Sequence, residues 1–127
     1  MTLSIAPSPE ASAAARWWAN KLTNGKAMLR RHFTPAQADR FAAALAELID
    51  HRLGREVTQQ GSAVTIDCDY RLHPLLAEAA WQSGLLVSMY DLPMRTYMWI
   101  NPGRVTVSEG YGTPEEVVWT ACHGGAG

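Results

Sequence analysis

The stretch from Arg95 to Gly112 limits what this chain can fold into more than any other part of it. Asn101-Pro102-Gly103 separates two strand-forming runs, Arg95-Thr96-Tyr97-Met98-Trp99-Ile100 and Arg104-Val105-Thr106-Val107-Ser108. Pro at the second position of a turn pre-sets φ, and Gly at the third accepts the positive φ of a type II turn. On the second run Val105 and Val107 alternate with Thr106 and Ser108, the period of a half-buried strand. The pattern predicts a central β-hairpin over about 95–109. Gly110 and Gly112, on either side of Tyr111, permit a bend after it.

Helix signals precede the hairpin. Ser8-Pro9-Glu10 opens a first helix, with Ser8 as N-cap and Pro9 at the first helical position. Ala14, Trp18 and Leu22 form its apolar stripe, Trp17 stands beside it, and Thr23-Asn24-Gly25 ends it. The Trp17-Trp18 pair is hard to hide in one small protein, so one of them is a candidate contact for a second molecule. Lys26 to Phe33 reads as a short basic turn. Thr34-Pro35-Ala36-Gln37 is a capping box for the clearest helix, in which Phe41, Leu45, Leu48, Ile49 and Leu53 share a face and Gly54 supplies the stop. A strand follows, with Val64, Ile66, Cys68 and Tyr70 facing one way and Thr65, Asp67, Asp69 and Arg71 the other. His73-Pro74 starts a third helix that buries Leu75, Leu76, Ala79 and Ala80 and ends at Gly84. Leu85 to Leu92 reads as a connection, and Val117 to Thr120 as a last strand after a short turn.

Segregated helices and hairpin-joined strands define an α+β domain, with the helices packed on one face of a small, mainly antiparallel sheet. A length of 127 residues with 47% hydrophobic content suits one domain over 1–127 with a real core, frayed at 1–8 and 124–127. No apolar run reaches the ~18 residues of a membrane span. Met1–Ser8 lacks the basic and apolar regions of a secretory signal, so the expectation is a cytoplasmic protein. Residues 1–55 are net basic and 56–127 net acidic, a polarity that can steer a charged partner. Lys26, Arg30 and Arg31 lack interleaved aromatics, and no sequence-specific nucleic-acid binding is expected of them.

Three constellations bear on chemistry. Cys68, His73, Cys122 and His123 supply the ligand types of a tetrahedral zinc site, but Cys-x4-His followed by adjacent Cys-His is not knuckle spacing. Cys122 with His73 or His32 is the nucleophile version, and nothing in the sequence positions it. Asp67-x-Asp69 can meet Mg²⁺, and Arg71 in the same row makes an internal ion pair the cheaper reading. No cofactor or metal is expected, and the balance falls against an enzyme.

What stands out is the crowd of large side chains near the hairpin. Trp, Tyr, Met and Arg are the residue types enriched in protein–protein contacts. Arg95, Tyr97, Trp99, Arg104 and Tyr111 are therefore the candidate binding residues for a protein partner. A homodimer through Trp17 or the hairpin is a further option. The competing reading is a module for a small anionic ligand or nucleotide, held by Arg95, Arg104 and Tyr111 around a pocket.

The block Leu92-Pro93-Met94-Arg95-Thr96-Tyr97-Met98-Trp99-Ile100, with Pro102-Gly103-x-Val105-x-Val107 and Gly110-Tyr111-Gly112, resembles one in small accessory proteins of phages, prophages and bacterial mobile elements. There the Pro is flanked by Phe and Trp, where this chain has Leu92 and Met94. The resemblance supplies no catalytic residue. It implies an inhibitor of a bacterial defence system, of anti-CRISPR type, acting in the host cytoplasm on a nucleic-acid-handling defence complex.

Overall fold

The computed structural model describes residues 7–24, 33–60, 64–69, 71–88, 91–92, 95–110 and 112–121, with the side chains of 24 and 54–60 left aside. Three helices and four strands follow in the order α1 (Pro9–Asn24), α2 (Pro35–Gln60), β1 (Val64–Cys68), α3 (Pro74–Gln82), β2 (Thr96–Asn101), β3 (Arg104–Glu109) and β4 (Glu116–Thr120). The strands form one sheet in the order β1-β2-β3-β4, antiparallel at every joint.

The expected α+β architecture is what forms, because each helix start carries its own cap. The Ser8 hydroxyl accepts the Ala11 N–H at 3.3 Å. Thr34 and Gln37 make the reciprocal box: the Gln37 N–H donates to Thr34 Oγ1 at 3.1 Å, and the Thr34 N–H to Gln37 Oε1 at 2.9 Å. At the hairpin, Gly103 sits at φ 85°, the value a type II turn needs.

Helix α2 departs from expectation. It runs through Gly54 to Gln60 instead of stopping there. A glycine inside a helix costs only about 1 kcal/mol. Good helix formers on both sides, Arg52 and Leu53 before it and Arg55, Glu56, Gln59 and Gln60 after it, outweigh that.

The helices cover one face of the sheet. Cross-strand rows Val64–Ile100–Val105 and Ile66–Met98–Val107 point at them and are sealed. Trp18, Phe41, Leu45 and Ile49 meet these rows from the helix side. Of the tryptophan pair, Trp18 is fully buried, whereas Trp17 is half-buried, edge-on to Trp18 at 5.0 Å and beneath the Lys21 ammonium at 4.6 Å. Two polar ties align α1 with β3: Glu10 Oε2 accepts the Gly103 N–H at 2.6 Å, and Lys21 Nζ lies 3.3 Å from Glu109. The turn is thus fastened to the first helix. One extra residue in β4 makes a bulge opposite Val105/Thr106, and both Val118 and Trp119 pack against the core. No described helix is long and apolar enough to cross a membrane.

Candidate functional site

Strand pleating decides what the other face carries. Each residue of β2 that does not face the helices faces away from them: Tyr97, Trp99 and Asn101, all half-buried. Register then places Thr65, Trp99, Thr106 and Val117 in one row, and Asp67, Tyr97 and Ser108 in the next. Arg104 pairs with Asn101 at the turn end. Trp99, Asn101, Arg104, Thr106 and Glu115 line a shallow cavity of about 440 Å³.

The far end of this face is closed by the chain after β3. Ser108 Oγ donates to the Thr113 carbonyl at 2.8 Å, and Ser108 is buried. Tyr97 is restrained by its hydroxyl, which donates to Asp69 Oδ2 at 2.6 Å. What stays accessible is the turn end, where Trp99 and Arg104 line the same cavity and, on the edge strand, Val117 is 53% exposed.

Of the expected binding residues, Tyr97, Trp99 and Arg104 share this face. Arg95 is exposed at the opposite end of the hairpin, where its carbonyl accepts the Gly110 N–H at 2.7 Å. Tyr111 lies outside the described residues. A six-residue strand separates Arg95 from Arg104, on the order of 20 Å. Two arginines that far apart cannot close on one small anion, so among the described residues the expected pocket for an anionic ligand or nucleotide is not assembled. Asn101, Thr106 and Glu115 were not anticipated, although the alternation of β2 already puts Asn101 with Trp99.

Of the four zinc ligand types, Cys122 and His123 lie outside the described residues, and no group of three or more His, Cys, Asp or Glu that could hold a metal ion occurs among the described ones. Cys68 is buried, and burial pushes its thiol up to about 11, with the Asp67 and Asp69 carboxylates adding to the rise. Such a thiol is a packing group and a poor nucleophile. His73 is a structural cap: its Nδ1 accepts the Leu75 N–H at 3.1 Å at the start of α3. Burial lowers its pKa below 6.5, with Arg52 and Arg71 acting in the same direction against Asp67 and the Thr65 backbone.

Comparison with known proteins corrects the family reading. The model of the BTG family matches residues 9–119. The structure is similar to that of the BTG/Tob domain of FOG-3 from C. elegans, with a TM-score of 0.62 over 88% of this chain and 89% of that one, at 16% identity. No curated protein sequence matches. The likeness to phage and mobile-element proteins is overturned, since the block that carried it lies inside the BTG match. With it fall the anti-CRISPR role and the bacterial defence complex as partner. A tight-turn hairpin rich in aromatics is a local solution that unrelated sheets reach independently.

Proposed function

The chain belongs to the BTG family, and on that footing we propose that it is a binding domain that docks a protein partner on the face of its sheet that the helices leave uncovered. One observation carries this reading: Trp99 is half-buried beside the trough at the turn end, while its strand neighbours Met98 and Ile100 are sealed on the opposite face. An indole held by a sheet presents a large apolar area at small conformational cost, the property of an anchor residue. Arg104 beside it recognises a carboxylate on the partner, and Val117 extends the apolar contact. The tie from Glu10 to Gly103 fixes the turn that carries Arg104.

The test is affinity purification from the source cells with wild-type, Trp99→Ala and Arg104→Glu baits, with melting temperatures measured in parallel. The reading expects a protein retained by wild type and lost from both folded variants. Retention by both variants would place the interface elsewhere. Unfolding of Trp99→Ala, together with full capture by Arg104→Glu, would make the indole a core residue and end the proposal.

A further inference from the structure

Trp81 and Leu86, at the end of α3, are the most exposed apolar side chains among the described residues, but the walls of the trough beside them carry no charge to select an occupant. The open edge of the sheet does. The sheet has two outer strands, β1 and β4. The edge of β1 is closed in part by its own chain, which turns back so that Leu72 bridges to Cys68. The edge of β4 is not closed in this way among the described residues.

Register decides which main-chain groups that edge presents. Asn101 and Arg104 flank a two-residue turn and so form a hydrogen-bonded pair. Bonding alternates along an antiparallel pair, so Thr106 also points its main-chain groups at β2, and Val105 and Val107 point theirs at β4. Their partners on β4 are Trp119 and Glu116. Val117, opposite Thr106, therefore turns its N–H and C=O away from the sheet, and neither meets a backbone partner among the described residues. Its side chain, 53% exposed, lies on the uncovered face in the row of Trp99. Glu115 is on that same face, where it lines the trough at Trp99, and Glu116, opposite the core residue Val107, is on the helix side. Both carboxylates are exposed, and neither makes an ion pair among the described residues.

We propose that β4 takes up an extended segment of the protein partner as a fifth, antiparallel strand, with an apolar residue opposite Val117 followed by two basic residues, opposite Glu116 and Glu115. This rests on the reading that a protein partner docks on the sheet, and adds the conformation and chemistry of the segment that makes the contact. Main-chain bonds give such a contact its affinity, and the side chains beside them its specificity. Charge selects the occupant. A second copy of this strand would double the carboxylates on an edge of five residues, which opposes self-pairing. A segment with Lys or Arg beside the carboxylates places unlike charges across the strands, and an apolar residue beside Val117 extends the apolar row. The bulge after Val117 keeps the added strand short and centred on the first half of β4.

Random peptides of about ten residues, displayed on phage and selected on the full chain, are the probe. Selection should enrich an apolar residue followed by two Lys or Arg. The selected peptide, made synthetically, should protect the Val117 amide from hydrogen exchange. N-methylation at alternate amides of the peptide should abolish binding in one phase and leave it in the other, because only every second N–H faces β4. Val117→Pro, which removes an N–H outside the ladder, should stay folded and lose the peptide. The double variant Glu115→Lys, Glu116→Lys should lose it as well. Failure to enrich any peptide, enriched peptides without basic residues, or binding in both methylation phases would overturn the proposal, the last without recourse to a protein variant. Full capture of the cellular partner by a folded Val117→Pro bait, with capture lost by Trp99→Ala, would end strand addition and leave the Trp99 anchor in place. Peptide binding at Val117 that persists in Trp99→Ala would support strand addition even if that anchor fails.

Discussion

His73 gives a prediction in which one ring both caps a helix and titrates. Its Nδ1 accepts the Leu75 N–H at 3.1 Å, which requires that nitrogen to be unprotonated. Replacing an N-cap by Ala costs about 1 kcal/mol. For a chain of this length His73→Ala should lower the melting temperature by roughly 3–6 °C. Asn is as good a cap as any residue and does not titrate, so His73→Asn separates the cap from the proton. Because burial lowers the pKa of His73 in the fold, the unfolded chain holds the proton more tightly. This contribution to stability is therefore complete above the unfolded value near 6.5 and shrinks as pH falls through the lowered one. Urea unfolding at about pH 7.5 and about pH 5.5 reads it out. Wild type should lose stability relative to His73→Asn on acidification, the other histidines cancelling in the difference. Equal pH dependence in the two proteins, with a negligible cost for His73→Ala, would refute the capping role.

Two further outcomes follow from the backbone and the core. Arg95 occupies φ 59° without being glycine, a conformation that costs about 1 kcal/mol for a side-chain-bearing residue. Arg95→Gly should therefore gain about 0.5 kcal/mol in chemical denaturation once the extra freedom of the unfolded chain is subtracted; a loss would show that contacts of the Arg95 side chain exceed the strain. Cys68, buried with a thiol near 11, should react with a disulfide reagent in a Cys122→Ser background only as fast as the protein unfolds. Rapid labelling of the folded protein would contradict its burial.

What could be read from the sequence was whatever needed only neighbours. The Thr34/Gln37 box, the Ser8 cap and the Pro102-Gly103 turn each close within three or four residues, so their chemistry appears in the sequence as spacing. The alternation along β2 likewise foretold that Trp99 and Met98 face opposite sides. Gly54 does not stop α2, because a single glycine's helix penalty is smaller than the combined preference of the helix formers on both sides of it. The choice between Trp17 and Trp18 depended on which stripe of α1 meets the sheet. Trp81 gave one unused signal: it falls off the stripe of Leu75, Leu76, Ala79 and Ala80. The separation of Arg95 from Arg104 follows from the hairpin itself, since residues flanking one strand are held a strand's length apart. Family membership was not legible from the hairpin, whose turn and aromatics specify a local shape and not an ancestry.

If the uncovered sheet face, anchored by Trp99, grips a protein partner, the indoles of the chain report it. The chain has five tryptophans, and each contributes one indole N–H signal to a ¹H–¹⁵N spectrum, assignable by single substitution. On titration with the captured partner, the Trp99 indole should shift strongly and the sealed Trp18 indole should stay in place. A Trp99 signal unmoved at saturation, with the shift confined to Trp17 or Trp81, would contradict it.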